Sequence, residues 1–357
     1  MAVTDPSLTP LGETRDPDRI TWAERVPAAY WVLALLLLVM PAFAGNFVLN
    51  DIFGRTFYTG IIALSLMFLA GYGGMVSLVQ MSIAGVGGYM VAIFGVSAID
   101  TISLGWPWYV AIPIALIVAM VFGTLAGWLA VRTEGIYTIM ITLAIAAAFF
   151  YFTRQNYVIF NGFSGFNGVL PPKLFGVDWQ QAVPFYYLTL FWAVLCFLVV
   201  LYVSRAPFGL ALQGVRDNPR RMAALGFNVT AHRVAAYTFA ALLAGLGGIL
   251  QTWNLSQISP GTAGIGPVID ILVIAVIGGL RHPIGPFIGA FIFVVLETFA
   301  TDALLAVGLS GDRFQLLIGV GFLIIVFWSP DGILGLWEKV RAARDRDPLL
   351  DRGEDRL

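Results

Sequence analysis

Charge is scarce in this chain: 11% of its 357 residues are Asp, Glu, Lys or Arg, against roughly a quarter in soluble globular domains. With 59% hydrophobic residues and a mean hydropathy of +0.85, a water-soluble fold would expose large apolar patches. The sequence therefore predicts a protein that uses the bilayer as its solvent. Cysteine occurs once, at Cys196 inside an apolar run, so an intrachain disulfide is excluded and a packing role is expected. Histidine occurs only as His232 and His282, in different loops. With no H-E-x-x-H and no cysteine cluster, neither a metal nor another cofactor is expected. The two lysines, Lys173 and Lys339, lie outside any glycine-rich turn, and no G-x-x-x-x-G-K-[ST] phosphate loop exists; any ATP used is bound by another chain. No nucleophile–base pair stands out, so the chain does not read as an enzyme. The net charge of −1 and the lack of a basic, aromatic-interleaved face give no reason to expect nucleic acid.

What is abundant is apolar sequence in long runs. A hydrocarbon core of about 30 Å takes roughly 20 apolar residues per helix. Runs of about that length, or slightly shorter, fall at 29–48, 57–76, 78–98, 108–131, 136–153, 184–203, 234–253, 268–280, 283–301 and 313–328. The expected fold is an all-α integral membrane protein of about ten transmembrane helices, one or two of them short or re-entrant. Run 268–280 is the short one, reaching only about 20 Å at 1.5 Å per residue. Trp31–Met40 followed by Ala42-Phe43-Ala44 imitates a signal peptide. The preceding segment carries Asp5, Glu13, Asp16, Asp18 and Glu24 against Arg15, Arg19 and Arg25, however, where a signal requires a short basic region. The first run is therefore expected to stay as a helix.

Alternating ten spans from a cytoplasmic N-terminus places sixteen of the twenty basic residues inside and leaves Arg55, Arg154, Lys173 and Arg313 outside. That is the asymmetry of the positive-inside rule, with both termini cytoplasmic. The division is a cytoplasmic segment 1–28, a membrane domain 29–337 and a charged cytoplasmic tail 338–357. Within the membrane domain, an outer loop at 154–183 is rich in glycine and aromatics, and the inner loop 204–233 is the most polar stretch between spans.

Glycines cluster at Gly71-Tyr72-Gly73-Gly74, Gly85/Gly87/Gly88, Gly245/Gly247/Gly248 and Gly278-Gly279. Ala84-x-x-x-Gly88 and Gly285-x-x-x-Gly289 have the small-xxx-small form that lets helices approach closely, while the first and last clusters also suit broken helices of the kind that form transporter sites. In the inner loop, Asp217 or Asn218 caps a short helix with Pro219 at its first position and Gly226 at its stop. Arg220 and Arg221 lie at its start, and Met222, Ala224 and Leu225 supply apolar contact. Such a helix is either a peg for a partner's groove or a surface anchor held by its positive charge. Asp270 and Glu297 are ionisable groups within spans, a costly placement that signals either structural pairing or a pathway role; Glu134 lies at a boundary beside Arg132. Ser77, Gln80 and Ser82, near the junction of the second and third runs, either line a polar path or hydrogen-bond between helices.

Several segments in order resemble the permease family that includes the LivM-type subunit of branched-chain amino-acid ABC importers. They are Leu69–Leu78, Arg132–Tyr137 leading into Ile141–Ala144, Gly162–Pro172, Arg216–Gly226, Ala240–Leu250, Ser259-Pro260, Val276–Gly279 with Gly285-Pro286, and Ser329–Leu336. The resemblance implies a bacterial plasma-membrane translocation subunit for branched-chain or other hydrophobic amino acids. It also implies a second LivH-type permease beside it, two cytoplasmic ABC ATPases and an extracytoplasmic amino-acid-binding protein. The segment 217–226 then corresponds to the family's coupling helix, gripped by an ATPase. Three departures bear on substrate: Val79-Gln80-Met81 stands where the family often has Gly-His-Ala, Phe163-Ser164-Gly165 where it often has Thr-Gly-Gly, and Asp270 where glutamate is common. A urea or short-amide importer on the same scaffold is the nearest alternative; an ion-coupled secondary transporter is the alternative from another class.

Overall fold

A computed structural model of the chain describes residues 35–99, 101–173 and 176–306, together with Gly319 and Gly332. The expected tenth run, 313–328, and the segments 1–28 and 338–357 lie outside these residues or almost wholly so. Residues 35–45 belong to a separate compact unit. There, residues 35–39 are helical and continue into a 3-10 turn, Met40–Ala42.

The remaining unit, from Asn46 onward, is built of helices. Helix α1 runs Val48–Tyr72, α-helical in the middle and widened to π-helix over Val48–Gly54 and Phe68–Tyr72. Then come α2 (Gln80–Phe94), α3 (Trp108–Ala130), α4 (Ile136–Gln155) and α5 (Ala182–Arg205). Two shorter helices, α6 (Pro207–Asp217) and α7 (Pro219–Ala224), precede α8 (Val229–Leu255), α9 (Ile265–Gly278) and α10 (Gly285–Ala306). Among the described residues, α1, α3, α4, α5 and α8 are long and apolar enough to cross a bilayer, whereas α2, α9 and α10 as far as Ala300 are shorter apolar helices. The chain is thus a predominantly helical, multi-pass membrane protein.

Burial separates the centre from the rim. The most apolar stretch of α1 is 89% buried and that of α8 61%, against 33% for α3 and 28% each for α4 and α5. Helix α3 shows why. Ala111, Ala115, Ala119, Gly123 and Gly127 recur every fourth residue and are buried, while Ile117, Val121, Leu125 and Leu129 on the opposite face are exposed. Lipid is as apolar as leucine, so helix association depends on close van der Waals approach, and the small-residue stripe faces inward. It meets α8, where a Cβ on Gly127 would strike Tyr237 and one on Gly245 would strike Ala119. The α2–α8 crossing is tighter still: a Cβ on Gly248 would run into the Ala84 backbone, and one on Gly87 into that of Gly245. The α9–α10 pair is closed the same way by Gly278, Gly285 and Gly289.

Two sequence expectations are corrected. The second span begins at Val48 rather than near residue 57, so Asn50, Asp51 and Arg55 are helical residues and Arg55 is not in a loop. The third, expected over 78–98, is helical only over Gln80–Phe94, because residues 73–79 leave the helical path. The outer loop expected at 154–183 has local structure of its own. It contains the helical turn Tyr157–Phe160 and a strand, β1 (Phe166–Asn167), paired antiparallel with β2 (Gln257–Ile258) in the register Phe166↔Ile258 and Asn167↔Gln257. Fully buried Phe166 meets the Tyr89 ring, which fastens this end of the loop onto α2.

Candidate functional site

The α1–α2 junction is where helix continuity fails. Helix α1 stops at Tyr72, Gly74 takes φ +65°, and the chain runs non-helically to Val79. Backbone groups freed inside a membrane protein need partners, and here α4 supplies one: Leu78 N–H donates to Thr142 Oγ1 at 3.1 Å. Ser77, Gln80 and Ser82 are all buried at this junction. Ser77 Oγ accepts from Val79 N–H at 3.4 Å, and Gln80 Oε1 accepts from Ser65 Oγ at 3.1 Å, tying α2 to α1. Gln80 Nε2 and Ser82 Oγ are buried without a protein partner. Each such group costs about 1–3 kcal/mol when left unsatisfied, so this junction concentrates polar groups at the point where the helical path is broken.

A second polar feature joins α1 to α10. Arg55 Nη2 straddles the Glu297 carboxylate, 2.8 Å from Oε1 and 2.7 Å from Oε2. Asp270, on α9, lies within electrostatic reach of both. The Arg55 correction has its physical reason here: a guanidinium in a helix within the membrane region is tolerable when a carboxylate answers it. Asp270 and Glu297, read separately from the sequence, thus share one electrostatic neighbourhood, and Arg55 is the member that sequence reading placed elsewhere.

The inner loop is a helix pair rather than the single helix expected over 217–226. Pro207 starts α6, whose buried face is Gly209, Ala211, Leu212 and Val215. Asp217 is the last residue of α6 and pairs with Arg216 at 2.9 Å. Asn218 is the cap of α7, accepting from Arg221 N–H at 2.9 Å with Pro219 at the first position. Gly226, at φ +90°, ends the segment, and Phe227 N–H donates to Met222 O at 3.1 Å. No residue of α7 is buried. Arg220, Arg221 and Ala224 are exposed, Leu225 is 68% exposed, and Met222 turns back toward Gly214 of α6. Met222 and Leu225 therefore do not form one free apolar face; Leu225 alone projects.

One contact connects the loop to the helix break. Arg216 Nη1 donates to Gly71 O at 2.6 Å, and its side-chain carbons lie against Gly74. The end of α6 thus grips the α1 terminus where the helical path is lost. The sequence signals for α6, Pro207 at a helix start and apolar Leu212 and Val215 three apart, were present but overshadowed by the stronger cap at Asn218.

Apolar helices of membrane length around a glycine-broken, polar junction, with an exposed helix hairpin attached to that junction, define a membrane permease. The chain belongs to the family described as the branched-chain amino acid transport system permease component, whose profile matches residues 48–326. The chain is 24% identical over 253 residues to the high-affinity branched-chain amino acid transport system permease protein LivM of Salmonella typhimurium, and equally so to that of Escherichia coli; each match covers 64% of this chain and 58% of the relative. A probable LivM permease of Methanocaldococcus jannaschii is 23% identical over 318 residues, covering 85% of this chain and 90% of the relative. The chain thus spans a little under three-fifths of the enterobacterial relatives and nine-tenths of the archaeal one. No solved structure matches it.

Proposed function

We propose that this chain is the translocation subunit of an ATP-binding-cassette importer for branched-chain or similar aliphatic amino acids, and is not itself an enzyme. The observation that carries the reading is the bond from Arg216 to Gly71 O: an exposed helix hairpin suited to a partner's groove is attached to the broken end of the most buried helix. ATPase closure on α7 moves α6, and α6 moves the α1–α2 junction that holds Ser77, Gln80 and Ser82. The sequence holds no phosphate loop, so the motor is two separate ATPases. A second LivH-type permease completes the path and an extracytoplasmic binding protein delivers the solute. Ten spans with both termini cytoplasmic follow from the basic-residue asymmetry, which puts α6 and α7 on the cytoplasmic side. Asp270 and Glu297 lie beside the path in this reading, with Arg55 neutralising Glu297.

The charged group Arg55, Glu297 and Asp270 also suits an ion-coupled secondary transporter, and proteoliposome uptake separates the two. Leucine accumulation by the reconstituted importer that needs ATP and ignores ionophores fits the importer. Accumulation by this chain alone, driven by a proton or sodium gradient, overturns it, and transport of urea in preference to leucine overturns the substrate class.

A further inference from the structure

The α3–α4 turn, the non-helical stretch after α1 and the start of α8 line a half-open pocket of about 410 Å³, within the roughly 300–1,000 Å³ of small-molecule sites. Its polar lining includes Glu134 and Arg233, which form no ion pair with each other or with any other described residue. Arg233 Nε is buried with no hydrogen-bond partner. Met75, Val131 and Ile139 make an apolar wall, and Pro219, the first residue of α7, closes one side. The turn that presents Glu134 is fixed: Thr133 Oγ1 donates to Ala130 O and Thr138 Oγ1 to Thr133 O, each at 2.9 Å, and Gly135 takes φ +61°.

We propose that this cavity binds a free aliphatic amino acid, as its zwitterion, from the side of the molecule that carries α6 and α7. The ligand's carboxylate meets Arg233, its ammonium meets Glu134, and its side chain lies on Met75, Val131 and Ile139. Arg233 Nε is the buried, unpartnered donor, and leaving it unsatisfied is the expensive outcome; Glu134, exposed at the mouth of the pocket, offers a carboxylate to an ammonium on the same ligand. A ligand carrying both charges answers both. The reading that the cargo is an aliphatic amino acid is assumed here. Because Pro219 is part of the wall, an amino acid held here bears directly on the helix proposed to couple ATP hydrolysis to transport. An ethanolamine-phosphate lipid headgroup shares the paired charges but carries no short aliphatic side chain, and the test separates the two.

Labelled L-leucine is titrated onto the purified full-length chain, with L-leucine, isoamylamine (ammonium only), 4-methylpentanoate (carboxylate only) and phosphoethanolamine as unlabelled competitors. The expected result is saturable binding displaced by leucine and poorly by the other three. Arg233→Gln should weaken it by about tenfold or more, the worth of one charged hydrogen bond, and Glu134→Gln, at an exposed carboxylate, by a smaller factor of about two to five. Val76 also lines the pocket, and Val76→Phe, which narrows the apolar side while sparing both charges, should shift preference from leucine to alanine, an effect that misfolding does not produce. Absence of binding, binding insensitive to both charge variants, or displacement by phosphoethanolamine as effective as by leucine overturns the proposal. ATP-driven leucine uptake by the complete importer is measured in parallel: intact uptake beside absent binding sinks this site alone, whereas absent uptake sinks the importer reading itself.

Discussion

Replacing Arg216 with glutamine severs the side-chain hydrogen bond that joins the end of α6 to the end of α1. A charge-assisted hydrogen bond is worth about 1.5–3 kcal/mol. The Arg216 side chain is 39% exposed, and solvent screening brings that to about 1–2 kcal/mol, a factor of roughly 5–30 in any equilibrium the contact governs. Arg216 also pairs with Asp217, but Asp217 is 66% exposed, and an ion pair of that kind contributes about 0–1 kcal/mol. Two variants therefore separate the two contacts. Arg216→Gln should lower leucine transported per ATP hydrolysed by roughly fivefold or more while ATPase assembly persists, since the exposed surface of α7 is untouched. Asp217→Asn should leave that ratio close to the wild-type value. The assay is simultaneous uptake and phosphate release in proteoliposomes. An unchanged ratio in Arg216→Gln, or an equal fall in Asp217→Asn, would refute the mechanical role given to the Gly71 contact.

Other expectations concern the fold that carries this linkage. Gly248→Ala places a methyl against the Ala84 backbone, which no side-chain rotation relieves. Thermal unfolding should show a loss of about 1–3 kcal/mol or more, while Gly266→Ala, in open space, should be silent; equal stability of both would contradict the α2–α8 crossing. Glu297→Gln and Arg55→Gln should each destabilise the protein, and the double variant should cost less than the sum, with a coupling of about 0.5–3 kcal/mol. Strict additivity would mean that the pair is not formed. Single cysteines at Phe163 and Leu225, both exposed, should be labelled by an impermeant reagent from opposite sides of the membrane, and labelling from one side would break the proposed topology.

Long apolar helices were legible because composition alone defines them: the runs at 108–131, 136–153, 184–203 and 234–253 correspond to α3, α4, α5 and α8 with ends shifted by at most a few residues. The start of α1 was not, because Asn50, Asp51 and Arg55 look like a loop in a hydropathy count. Arg55 is accommodated in the helix by Glu297 some 240 residues away, a partnership no local window contains. The α3 stripe of Ala111, Ala115, Ala119, Gly123 and Gly127 was present in the sequence as a four-residue period, yet it shows which face is inner only once α8 is set against it. The glycine clusters were read as close packing or as breaks, and the structure uses them for both: Gly248 and Gly289 for approach, Gly74 and Gly279 for turns at φ +65° and +103°. In the inner loop the cap and stop of α7 were legible from Asn218, Pro219 and Gly226. The link from Arg216 to Gly71 was not, since it is made between residues 145 apart.

Leu225→Asp tests the coupling account most directly. Leu225 is 68% exposed at the end of a helix with no buried residue, so the substitution should leave membrane insertion and thermal stability of the chain unaltered. A charge forced into a dry docking groove costs a few kcal/mol, about a hundredfold or more in partner affinity. The measurement is leucine uptake together with co-purification of the ATPases from membranes that express the complete importer. Uptake and ATPase retention should be lost together while the permease remains folded in the membrane. Wild-type uptake by Leu225→Asp would mean that the α6–α7 hairpin only anchors the loop, and that the force of ATP hydrolysis enters the protein elsewhere.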